Sequence, residues 1–95
     1  MKYLIIRTRI GPNLTNDFPV LFPELWVHEI VFDALRAYMT IDLKDPVCIA
    51  AGFFNPIEFK CYGRATSFKP NIESRGELDE TLILTHQYGA AIKER

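Results

Sequence analysis

A chain of 95 residues, 48% hydrophobic and 24% charged with both signs present, has room for one core and excludes a disordered protein. Eleven basic against twelve acidic residues leave a net charge of −1, without the basic excess through which nucleic-acid binders displace phosphate counterions. The opening segment holds an unbroken run of only four apolar residues, 3–6, before Arg7, too few for a signal-peptide core or a membrane span, so the expected setting is the cytoplasm with no membrane contact.

Residues 2–10, with Leu4, Ile5 and Ile6 followed by alternation through Arg7, Thr8, Arg9 and Ile10, read as a strand ended by Gly11-Pro12-Asn13. Residues 11–17 are rich in turn formers and read as a loop. Residues 18–22, interrupted by Pro19, read as a brief edge strand or extended segment. Pro23 and Glu24 suit the first turn of a helix, where a missing N–H is harmless and an acid meets the positive end of the dipole. Through Met39 the spacing then places Val27, Ile30, Val31, Ala34, Leu35 and Tyr38 on one helical face, with Glu29, Asp33 and Arg36 opposite.

The nearly continuous apolar run at 47–54 suits a central strand covered on both faces. Asn55-Pro56 turns the chain, and 58–65 resumes as a strand, giving a hairpin with Cys61 opposite Gly52 and Cys48 opposite Ala65. At strand rise that register separates the cysteines by about 13 Å, beyond the roughly 7 Å a disulfide spans, so both thiols are expected to be free. Residues 67–75 form a polar connection. Ser74-Arg75-Gly76-Glu77 then has the pattern of a capping box opening a helix to about Gln87, ended by Gly89. The strand-like composition of residues 81–85 competes with that helix, and the caps decide in its favour. The resulting architecture is α+β, in the order β-β-α-β-β-α: one mixed or antiparallel sheet of about four strands with both helices on one face.

Chemistry has few footholds. His28 adjoins Glu29, but successive helical residues diverge by about 100°, so His28 is either a half-buried boundary residue or a general base acting with something distant. His28, His86, Cys48 and Cys61 lack the local spacing of zinc ligands, and either cysteine among apolar neighbours reads as a small core residue before it reads as a nucleophile. No metal or cofactor is called for. The richest segment runs from Tyr62 to Lys69 and on to Ser74-Arg75-Gly76. It joins Arg64, Lys69 and Arg75 to the hydroxyls of Ser67 and Ser74 at a helix N-terminus, a pattern able to hold a phosphate or carboxylate. The opposing reading is that Ser74 and Glu77 satisfy those donors themselves. Arg7 and Arg9 join this patch if the first strand adjoins the fourth. Trp26 and Phe32 lie off the main apolar face, and exposed rings of this kind mark a subunit interface. A homodimer or higher homo-oligomer is expected, most simply with two-fold symmetry.

The motifs Phe22-Pro23-Glu24, His28, Ala51-Gly52-Phe53, the run Tyr62-Gly63-Arg64-Ala65-Thr66-Ser67 and Ser74-Arg75-Gly76-Glu77-Leu78-Asp79 resemble those of small phage and prophage proteins without an assigned function. The resemblance spans much of residues 20–85. It implies a mobile-element setting and a small stand-alone protein, and it carries over no activity. The expected function is therefore a non-enzymatic, oligomeric binding protein that captures an anionic small molecule or a host protein, through Arg64, Ser67, Ser74 and Arg75. The alternatives are a small hydrolase-like enzyme using His28 with Ser67 or an acid, and a structural subunit of a larger particle.

Overall fold

The computed structural model describes residues 1–39 and 44–88. Four antiparallel strands, β1 (Lys2–Gly11), β2 (Leu14–Phe22), β3 (Lys44–Asn55) and β4 (Lys60–Tyr62), form a sheet in the order β2-β1-β3-β4. Helix α1 (His28–Met39) joins β2 to β3. A two-stranded ribbon, β5 (Arg64–Ala65) and β6 (Ile72–Glu73), precedes helix α2 (Glu77–Ile83), which runs on as a π-helical turn over Leu84–Tyr88. The fold is α+β, as the sequence predicts, with the sheet resolved as antiparallel throughout.

The helices do not share a face, however. Side chains alternate along β1, and the two sets bury separately. Leu4 and Ile6 pack with Phe22, Ala51, Phe32 of α1 and the ribbon residues Ala65 and Phe68. Tyr3 and Ile5 pack with Ala50, Phe54, Cys61 and Ile83 of α2. All four of these β1 residues are fully buried. A strand apolar on both sides needs cover on both, and one helix on each face supplies it.

Several boundaries move for local reasons. Residues 14–17, expected in a loop, pair with β1 as Arg7↔Asp17, Thr8↔Asn16, Arg9↔Thr15 and Gly11↔Leu14. The polar side chains of Thr15, Asn16 and Asp17 suit an edge strand, and Pro19 is tolerated in β2 because an edge strand does not require every N–H. The turn at 23–26 is closed by the Trp26 N–H donating to the Pro23 carbonyl at 3.1 Å, and α1 begins only at His28. The strand expected at 58–65 is only three residues long, and its register differs: Phe54 faces Cys61 and Phe53 faces Tyr62. Gly63, at φ 76°, then takes the chain out of the sheet into the ribbon, so Cys48 and Ala65 are never ladder partners. Both cysteines are free, as expected.

Helix α2 is a helix despite its strand-like composition, but the Ser74/Glu77 capping box does not form. Gly76 occupies the N-cap without a side-chain bond. Asp79 instead reaches back to the Arg75 N–H at 2.8 Å. The hydroxyls of Thr81 and Thr85 donate to carbonyls one turn earlier, at 3.0 and 2.9 Å, which absorbs two polar groups inside the helical segment. Tyr38, assigned by periodicity to the buried side of α1, and Gly89, assigned to end the second helix, fall on positions whose side chain or placement lies outside the described residues.

Candidate functional site

The helical face chosen by periodicity is only in part the one that α1 buries: Val31 and Leu35 are shared. Ile30 is 65% exposed, while Phe32, expected off that face, is buried and meets Phe68 edge-on with ring centroids 6.0 Å apart. The helix is turned so that His28, Val31, Phe32 and Leu35 lie toward the sheet. His28, only 4% exposed, is carried into the interior between Phe22 and Phe53, whose ring centroids lie 5.3 and 5.9 Å away in edge-on contacts. Its Nε2 lies 2.9 Å from the Gly52 carbonyl. A carbonyl cannot donate, so Nε2 carries the proton. Burial holds the pKa below the ordinary 6.5, with a smaller push from Lys2, against the opposing bond to Gly52. The imidazole is neutral at neutral pH and fixed in one tautomer.

Beside His28 opens a pocket of about 210 Å³. Lys2 and Phe53, ladder partners on β1 and β3, form one wall. Arg64, Thr66 and Ser67 form the other, brought over the sheet by the turn at Gly63, where an added Cβ would stand 3.0 Å from the Phe53 ring. Val27 closes the side next to α1. The Ser67 hydroxyl accepts from the Glu29 N–H at 3.1 Å, so the first turn of α1 is capped by a residue 38 positions later in the chain. Lys2 donates one of its ammonium protons to the Trp26 carbonyl at 2.8 Å, leaving two donors. Two cations, two hydroxyls and the positive end of a 12-residue helix thus converge around a lining that, among the described residues, holds no carboxylate.

The structure brings together three of the five site residues singled out by sequence: His28, Arg64 and Ser67. It does not bring Ser74 or Arg75 to them. Those two belong to a polar cluster on the opposite face, centred on Asp79, which is fully buried. Arg75 donates to Asp79 through its backbone N–H and its Nε, both at 2.8 Å. Tyr3 Oη lies 2.5 Å from Asp79 Oδ2 and 2.6 Å from Ser74 Oγ. The phenol has one proton and a carboxylate only accepts, so Tyr3 donates to Asp79 and Ser74 is placed to donate to Tyr3. Burial, reinforced by Asp79, pushes the Tyr3 pKa far above its ordinary 10. The acid that this helix start holds is the chain's own Asp79, which leaves no opening for an external anion.

The remaining candidates disperse. Arg7 pairs with Asp17 through two bonds of 2.7 and 2.9 Å, which holds the Asp17 carboxyl below its usual range. Its strand adjoins β2 and β3 rather than β4, and only Lys2, at the other end of β1, reaches the pocket, which neither Arg7 nor Arg9 lines. Burial pushes the Cys48 and Cys61 thiols up to about 12, keeping both protonated. His86 is exposed and its Nδ1 donates to the Leu82 carbonyl at 3.0 Å. Among the described residues no three His, Cys, Asp or Glu side chains gather as a metal site, and no helix is long and apolar enough to cross a membrane. Lys2, Val27, Phe53 and Thr66 were missed by sequence reasoning, because their placement follows from strand register and from the turn at Gly63.

Comparison with known proteins supplies no relative: no family model, no curated protein and no solved structure matches the chain.

Proposed function

We propose that this is a small non-enzymatic binding protein that captures an anionic ligand, such as a phosphate- or carboxylate-bearing small molecule, in the pocket between α1 and the β5 segment. The observation that carries the reading is the convergence of Lys2 and Arg64 with the Thr66 and Ser67 hydroxyls on a lining that holds no carboxylate among the described residues. Cations with free N–H groups beside a helix N-terminus favour a negatively charged guest. The motif resemblance adds a setting, a mobile element, and a cytoplasmic location belongs to the same proposal.

A hydrolase reading also draws on this pocket, since His28 and Ser67 both line it. It is the weaker one. His28 Nε2 already donates to Gly52, and the Ser67 oxygen already accepts from Glu29.

Calorimetric titration with inorganic phosphate and with acetate tests the proposal. Binding of either anion is expected to weaken by ~10-fold or more in Arg64→Ala, a loss of about 1.4 kcal/mol, and to weaken further as salt is added. Arg64 is exposed, so the melting temperature should hold. Equal binding by wild type and Arg64→Ala, or none by either, removes the anion pocket as the function.

A further inference from the structure

On the outer side of α1 lies a second concavity, an apolar groove of about 480 Å³ lined by Leu25, Trp26, Val27, Ile30, Ala34 and Leu35, among others. The turn of α1 that buries Phe32 and His28 leaves the other half of a broad apolar stripe facing outward. Leu25 is 94% exposed, Ile30 65%, Trp26 56% and Val27 41%. Leu25 and Trp26 stand on the hydrogen-bonded turn at Pro23, and the Trp26 carbonyl is also held by Lys2. The protruding side chains are therefore mounted on a backbone fixed at both its N–H and its carbonyl.

From this arrangement we infer that two copies of the chain pair through the outer side of α1. A two-fold contact must place the same patch on both partners and be complementary to itself. This patch carries both halves of such a fit, since Leu25 and Trp26 line the groove and also project from its edge, so each copy offers side chains and a cleft. Full burial of the exposed parts of Leu25, Trp26, Val27 and Ile30, roughly 500 Å² per copy, would remove about 1,000 Å² in total, the lower bound for a specific interface. The net charge of −1 sets up little repulsion between copies. A short chain also gains proportionally more than a long one from burial across an interface. The inference is independent of the anion pocket, which has its own lining except for the shared Val27.

Sedimentation equilibrium on the full chain tests it. The wild type is expected to show twice the 11.0 kDa chain mass. Ile30→Glu should raise the dimer dissociation constant by ~10-fold or more with an unchanged circular dichroism spectrum, because Ile30 does not belong to the core. Ile57→Glu, at a 94% exposed site on the β3–β4 turn, should leave the dimer intact. Trp26 is the only tryptophan, so its emission should also shift to the blue as concentration rises. If Ile30→Glu disturbs the fold, Trp26→Ala supplies the same reading from the turn. A monomeric wild type overturns the inference, as does a dimer that Ile30→Glu and Trp26→Ala both leave intact or that Ile57→Glu weakens equally.

Discussion

Helix α2 sits on its side of the sheet around a buried carboxylate, with Tyr3, Ser74 and Arg75 arranged about Asp79. Helix α1 covers the other side with Phe32, Val31 and Leu35, and among the described residues its one buried polar side chain is a neutral imidazole. Apolar packing is non-directional, and the sequence of α1 offers two overlapping apolar faces of which only one is used. Hydrogen bonds to a buried anion are directional and costly to leave unmade. They hold α2 in one register although residues 81–85 favour a strand by composition. The difference teaches where each side is committed. The α2 side is closed by groups that satisfy one another, whereas the α1 side retains a polar pocket, an outward apolar stripe and every opening proposed to bind something.

Changes at the buried carboxylate should be the most damaging. Asp79→Ala leaves Tyr3 and Arg75 without their acceptor and is expected to lower stability by about 3–5 kcal/mol in urea unfolding. A loss under about 1 kcal/mol would mean that α2 is held by its apolar contacts, and the contrast between the sides would disappear. Tyr3→Phe removes one donor and keeps the ring, so the expected loss is about 1–3 kcal/mol. If Tyr3→Phe proves neutral, the arginine bonds alone organise the cluster.

On the α1 side the informative variable is pH. His28 has a folded pKa below its ordinary 6.5, so the unfolded chain binds the proton more readily. The stabilisation from keeping His28 neutral is complete above the ordinary value and is lost as pH falls through the folded one. Asp17, also lowered, loses its contribution to Arg7 only in the more acidic window below 3.8. Unfolding free energies taken from pH 7 down to 5 should therefore decline in the wild type and stay flatter in His28→Gln. Identical slopes would show that His28 is not the group being titrated. Binding and pairing, tested through Arg64→Ala and Ile30→Glu, should change with the least effect on stability, since both sites are exposed.

Much of this organisation is readable from the residues. The β1 strand, helix α1 and the apolar run of β3 follow from periodicity and turn formers, whereas the grounds for expecting helix α2 and the free thiols do not hold: the capping box does not form and the hairpin register differs. Two-sided cover is also written in the sequence, because Tyr3, Leu4, Ile5 and Ile6 are apolar without alternation, and the same feature at 47–54 already implies it. The rotation of α1 is not legible. Val27, Ile30, Val31, Ala34 and Leu35 satisfy helical periodicity as well as the buried set does, and only the space left by Phe22, Phe53 and Phe68 selects Phe32 and His28. The division of the anion candidates is hidden for a similar reason. Arg64 and Arg75 are separated by eleven positions, but the turn at Gly63 sends the first to one face and the bond to Asp79 keeps the second on the other.

The cap that Ser67 provides to α1 has a consequence for how the chain reaches its final form during synthesis. Helix α1 leaves the ribosome well before the hydroxyl that completes its first turn, 38 positions later, and Tyr3 waits 76 positions for its carboxylate. Contacts so distant along the chain close late. Neither side of the sheet is complete while the C-terminal half is still in the exit tunnel, so the emerging N-terminal hairpin carries Leu4, Ile5 and Ile6 uncovered and is the stretch a chaperone would meet first.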